Sequence, residues 1–213
     1  MALNNLKFNS INVTPAASEA IRFNSSANGL ETASAGGSLV KIATTTASSS
    51  SSISFTSGID STYKEYIFFF NNIHPATNDT SFMVNFSIDG GSNYNVTKTT
   101  TLFQAYHGED AGGAVLAYQT GLDLAQGTGD QYIIAQIGNG NDESGSGTFH
   151  LFDPSNTTFV KHFIARGNRL VNAYTSDYLV AGYGNTTSAI NAVRFNMTSG
   201  NIDSGTITMY GVT

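Results

Sequence analysis

Almost every periodic segment of this chain alternates apolar and polar residues at a spacing of two. Val40 and Ile42 share one side of VKIAT, and Ile53 and Phe55 one side of SISFTS. Phe82, Val84, Phe86 and Ile88 recur along SFMVNFSID, and Ile207, Met209 and Gly211 along GTITMYGV. This is the signature of strands with one buried face. YIFFF at 66–70 is continuously apolar, as expected of a central strand covered on both sides. The best helical candidate, PAASEA at 15–20, is short and runs into the strand-like IRFN. The pattern therefore predicts an all-β protein, an antiparallel β-sandwich of the jelly-roll kind. Its predicted core is Ile53, Phe55, Ile67, Phe69, Val84, Phe86, Phe149, Leu151, Phe163, Val193, Phe195, Ile207 and Met209.

Composition supports this class. Charged residues make up 11% of the 213, against a usual ~25%. Asn, Ser, Thr and Gly fill the gap, and these suit turns and half-exposed strands better than helix interiors. Fourteen Phe and ten Tyr supply ample core material, which argues against a disordered chain. The net charge of −6 leaves no basic footprint, so no nucleic-acid partner is expected. The absence of cysteine excludes a disulfide scaffold and a thiolate zinc site. No apolar leader follows Met1 and no stretch of ~18 apolar residues occurs, so neither a signal peptide nor membrane insertion is expected.

The tract TTTASSSSS lies between two alternating patterns and contains neither Gly nor Pro. It reads as a turn or bulged edge between strands, with a flexible linker as the alternative. The better boundary is Gly36-Gly37. Residues 1–36 hold only Leu6, Phe8, Ile11, Val13, Ile21, Phe23 and Leu30 as larger apolar side chains, too few for a separate core. They read as an N-terminal attachment arm, and 37–213 as the sandwich. Asp89-Gly90-Gly91-Ser92 and Asp153-Pro154-Ser155-Asn156 read as hairpin turns. Longer glycine-rich loops fall at 108–113, 126–130 and 138–147.

Conventional chemistry is sparse. A hairpin symmetric about Asn156 would set His150 opposite His162, two metal ligands where zinc needs three or four. No third ligand sits at a fixed spacing, so no metal and no cofactor is expected, and a stacked imidazole pair is the plainer reading. Asp and Asn oxygens in GNGNDESGSG could take calcium, but the spacing is not that of an EF-hand. No nucleophile elbow or phosphate loop occurs. The chain is thus expected not to be an enzyme, although a pair of carboxylates brought together by the fold would suit glycan hydrolysis. Loop-borne polar and aromatic residues are the candidate recognition groups: Glu109, Asp110, Tyr118, Asp130, Asn141, Asp142, Tyr174 and Tyr183, with Tyr106 and Tyr178 among the other loop-proximal tyrosines.

The opening LNNLKFNSINVTPAASEAIRFNSSANGLETASAGGSLVKI resembles the N-terminal module of small virion proteins of marine bacteriophages, cyanophages included. SISFTSGIDSTYKEYIFFFNNIHPATND, FVKHF and NTTSAINAVRFNMTSGNIDSGTITMYGV are similar to the same poorly characterised family. The resemblance implies a virion component assembled in the host cytoplasm. A tail or fibre position with loops facing the host is expected, with a capsid decoration or cement protein as the alternative and a glycan-degrading tailspike-type enzyme as a lesser one. Implied partners are other virion proteins through the arm, further copies of the chain in a homotrimer, and a host-surface glycan or protein. The family supplies no catalytic residues.

Overall fold

The computed structural model describes residues 19–23, 26, 29–34 and 38–213. The chain divides into two units, Met1–Val40 and Lys41–Thr213. In the first, β1 (Glu19–Phe23) and β2 (Leu30–Ser34) form an antiparallel hairpin, with Phe23 opposite Leu30. An exposed ion pair joins Arg22 Nε to Glu31 Oε1 at 3.0 Å. The weak helical candidate at 15–20 ends in strand: Glu19 and Ala20 open β1. Its first four, and Leu6, Phe8, Ile11 and Val13 of the expected arm, lie outside the described residues.

The remaining strands are β3 (Leu39–Thr46), β4 (Ser52–Phe55), β5 (Glu65–Pro75), β6 (Thr80–Ser87), β7 (Lys98–Gly108), β8 (Val115–Tyr118), β9 (Gln131–Ile137), β10 (Gly145–Phe152), β11 (Lys161–Val171), β12 (Tyr174–Gly184), β13 (Ala192–Met197) and β14 (Ile202–Val212). They form an eight-stranded sheet, β3-β14-β5-β10-β11-β12-β7-β8, and a four-stranded sheet, β4-β13-β6-β9. The registered pairs are antiparallel and no helix occurs among the described residues. The protein is an all-β antiparallel sandwich. The chain alternates between sheets, β3 to β4 to β5 to β6, then β9 to β10 and β13 to β14. Two excursions, β7–β8 and β11–β12, stay in the larger sheet and widen it beyond β10.

Aromatic rings fill the interlayer. Phe195 of β13 meets Phe55 at 6.4 Å, Phe82 at 5.5 Å, and Phe68 and Phe149 of the facing sheet at 5.5 and 6.1 Å. Eleven of the thirteen expected core residues belong to this cluster. Ile67 and Phe69 do not. The inward residues of β5 are Tyr66, Phe68 and Phe70, in register with inward Phe149 and Met209 across Phe68. An uninterrupted apolar run carries no parity of its own, so its neighbours set it. Phe69 is half-buried on the opposite face, where Tyr210 of β14 meets it edge-on at 5.5 Å.

The serine tract is ordered. It carries the chain from β3 in one sheet to β4 in the other. Ala47 and Ser49 donate backbone hydrogen bonds to Gly205 and Asp203 of β14 at 2.8 and 2.9 Å, and Ser50 bridges Ile202. Ser49 turns it at φ 50°. Asp89–Ser92, by contrast, is not a hairpin, because β6 and β7 lie in different sheets. Asp89 builds a local turn instead, accepting from Ser87 Oγ at 2.6 Å and from the Asn93 backbone and side chain at 2.9 and 2.7 Å. The last residues of the expected 138–147 loop are in β10. A Cβ on Gly147 would stand 2.1 Å from the carbonyl oxygen of Arg166 on β11, so that glycine permits the close strand approach.

Candidate functional site

The β10–β11 hairpin forms, but it turns about residue 157, not Asn156. His150 stands opposite Ile164, and its Nδ1 lies 2.6 Å from Glu65 Oε1. His162 packs against Tyr183 at 6.2 Å. The two histidines are therefore not cross-strand partners. Asn156 bonds Asp153 and accepts from the backbone of Thr158 and Phe159, which keeps these residues in the loop ahead of β11. No group of three His, Cys, Asp or Glu suited to a metal ion occurs among the described residues.

The recognition candidates separate into four places. Glu109, Asp110, Asn141, Asp142 and Tyr174 gather at one end of the sandwich, around the two-residue turn Asn172-Ala173 between β11 and β12. Glu109 donates its backbone N–H to Ala173 O at 2.9 Å, and Glu143 Oε1 accepts that of Asn172 at 2.6 Å. The Asn172 bond, with that from Gly140, holds the Glu143 carboxyl below its ordinary range. Tyr118 lies on the edge strand β8, edge-on to Phe103 at 5.2 Å, and its hydroxyl donates to Asp123. Tyr183 sits near the opposite end, beside His162. Tyr178, read as loop-proximal, is a fully buried residue of central β12.

Asp130 is engaged within the fold. It accepts from Asn85 Nδ2 at 2.7 Å, Arg194 Nη2 at 3.1 Å and Asn196 Nδ2 at 3.0 Å. Beside it lies Lys98, fully buried, whose Nζ donates to Asn85 Oδ1 at 2.6 Å and Val96 O at 2.7 Å. Loss of hydration lowers the Lys98 amine to about 8, and the nearby Asp130 charge offsets only part of that. Arg194 lies over the Tyr94 ring at 4.5 Å. This cluster ties the 128–130 segment and β7 to the four-stranded sheet, a structural use of charge.

The widened part of the large sheet has two notable faces. On the outer face, Tyr118, Phe103 and Leu179 are successive partners across β8, β7 and β12, with Leu116 on β8 and Ile164 on β11 close by. Leu116 is 76% and Leu179 53% exposed, and the others are about 41%. Arg166 and Asp177 border this strip with a bidentate pair at 3.0 and 2.9 Å. A groove of about 350 Å³ continues it past Ile164 and Ala181 to His162, Phe152 and Tyr183.

The inner face is covered only in part. The four-stranded sheet ends at β9, which packs against β11 and β12. Beyond it, at the end carrying the Asn172-Ala173 turn, a cavity of about 480 Å³ opens between Tyr106, Tyr174, Gln104, Ser176 and Arg169. The two tyrosine rings meet at 71° and 6.2 Å, forming a corner. Arg169, 5% exposed, lies in its wall. Alternation in KHFIARGNRLV puts this arginine on the core side with Phe163 and Ala165, and Lys98 shares a face with Val96 and Leu102. A cation at a core position was the available signal for both.

No family model, curated protein or solved structure matches the chain.

Proposed function

We propose that this protein is an assembly-forming phage virion component, of the tail or a fibre-like appendage, built on a jelly roll. The observation that carries the reading is the apolar strip on the outer face of the widened sheet. Monomeric proteins rarely leave contiguous apolar rows of this kind bare, and such rows mark contact surfaces. Leu116, Tyr118, Phe103, Leu179 and Ile164 span four adjacent strands, a flat and rigid platform for another subunit. The strand orders β3-β14-β5-β10 and β4-β13-β6-β9 support the jelly roll, since they interleave as two Greek keys do. That a jelly roll suits a virion is fold-level analogy, and the resemblance in sequence points the same way.

In this reading copies of the chain assemble through the strip, as a trimer, and the loops at the Asn172-Ala173 end face the host. The protein binds and assembles without catalysing a reaction, and incubation with host polysaccharide leaves chain lengths unchanged. Light scattering on the purified chain tests the assembly. The wild type should run as a discrete oligomer, and Leu179→Glu and Phe103→Ser, both at exposed positions, should run as folded monomers. A wild type that stays monomeric at every concentration, or variants that assemble normally, would remove the strip from the account.

A further inference from the structure

We infer that the Arg169–Tyr106–Tyr174 cavity binds a carboxylate-bearing sugar, a hexuronate unit of an acidic polysaccharide. Three features lead there. The first is a buried cation with unused donors. Arg169 Nε donates to Tyr178 Oη at 3.0 Å and Nη1 to Gln136 O at 2.6 Å. Both acceptors are neutral, Nη2 makes no hydrogen bond among the described residues, and no carboxylate forms an ion pair with Arg169 among them. A guanidinium is a planar fork whose best partner is a carboxylate, and the bond is strongest where water is excluded.

The second feature is that the neighbouring carboxylates are already engaged. Glu143 accepts the backbone N–H groups of Asn172 and Gly140, at 2.6 and 2.9 Å, and Asp110 accepts that of Gly112 at 2.8 Å. Neither lines the cavity. The Glu143 charge interacts with Arg169 from a distance, but no carboxylate among the described residues comes within ion-pair reach of the guanidinium.

The third is the aromatic corner. Tyr106 and Tyr174 meet edge-on at 71° with Gly113 beside both, and the ring surface they turn to the cavity suits the C–H face of a pyranose. Tyr174 is on the rim at 37% exposure, and Ser176 adds a hydroxyl. The volume of about 480 Å³ falls within the ~300–1,000 Å³ usual for small-ligand sites. A sugar carboxylate placed on Arg169 puts its ring against the tyrosines. A simple inorganic anion would leave the corner unfilled, and a neutral hexose would leave the guanidinium unpaired.

The ligand's source, a host-surface polysaccharide, rests on the host-contact reading above; the cavity's preference does not. The test is calorimetric titration of the full chain with a hexuronate oligosaccharide and with an uncharged hexose oligosaccharide of equal length. The acidic ligand should bind at least about tenfold more tightly, the scale of one charge-assisted contact. Tyr174→Ala should weaken binding by about tenfold, as loss of one stacking ring does. Arg169→Gln should erase the preference for the acidic ligand. Because Arg169 also bonds Tyr178 and Gln136, its variant is checked by circular dichroism, and Tyr174→Ala carries the test if Arg169→Gln fails to fold. No saturable binding, equal binding of the two oligosaccharides, or a Tyr174→Ala variant that binds like wild type would overturn the inference. Acid-selective binding by a protein found on the capsid would sink the tail position while leaving the cavity's role intact.

Discussion

Replacing Lys98 by Met should change how stability depends on pH. The folded amine titrates at about 8 against an ordinary 10.5, chiefly because it is desolvated. That difference is about 3 kcal/mol of penalty on the charged form at neutral pH, at ~1.36 kcal/mol per pH unit. Below pH 8 both folded and unfolded amines are protonated and the penalty is complete. Between pH 8 and 10.5 the unfolded chain binds more protons, so stability rises with pH and the penalty is relieved. About 2 kcal/mol of it should be regained between pH 7 and 9.5. Lys98→Met leaves Val96 O without this donor and Asn85 Oδ1 with the Phe86 N–H alone, which lowers stability by an amount largely independent of pH. The informative quantity is therefore the difference between the two proteins as pH changes, which also cancels tyrosine ionisation. Urea unfolding of both at intervals from pH 7 to 9.5 reads it directly. Wild-type stability should rise by about 2 kcal/mol relative to the variant. Parallel curves would mean that Lys98 keeps an ordinary amine, and the reasoning from burial would be refuted.

Three further outcomes follow from the packing and the turns. Phe195→Ala should cost about 3–5 kcal/mol in urea unfolding, since its fully buried ring touches aromatic residues of both sheets. Ala173→Gly should stabilise by about 1 kcal/mol, because Asn172 and Ala173 both hold positive φ, at 45° and 63°, and glycine there carries no Cβ penalty; an unchanged or lower thermal midpoint would contradict this. Asp89 is held at about 2 by Ser87 and Asn93, so its contribution is present above about pH 3.8 and lost as pH falls toward 2. Asp89→Asn should accordingly flatten the acid limb of the stability profile, which circular dichroism during acid titration would show.

The alternating strands were legible because Phe82, Val84 and Phe86, or Ile207 and Met209, share a parity and are buried; Ile88, of the same pattern, falls past the end of β6 and is exposed. YIFFF was not, since an unbroken apolar run is consistent with either parity, and cross-strand Phe149 decides it. Turn residues proved less reliable. Asp89-Gly90-Gly91 carries strong hairpin chemistry, yet it crosses between sheets, because strand pairing is settled by long-range contacts. Asn172-Ala173 makes the tight hairpin turn, but Ala occupies the position where Gly would have announced it. The cavity was half legible. Tyr174 drew attention as a loop aromatic and Tyr106 beside it. Their convergence with Arg169 depends on β7 lying beside β12, a pairing across some 70 positions that no local pattern encodes. The glycine-rich flank of Asp130 suggested exposure, but it did not show that Asn85, Arg194 and Asn196 hydrogen-bond the carboxylate.

Counting copies in purified particles, as the ratio of this protein to the major capsid protein by quantitative mass spectrometry, tests the proposed tail or appendage position. A tail component is present in a few or a few tens of copies per particle, and that low ratio is the predicted result. A near-stoichiometric ratio following capsid symmetry would contradict the tail assignment in favour of capsid decoration, and absence of the chain from the particles would contradict a virion role altogether.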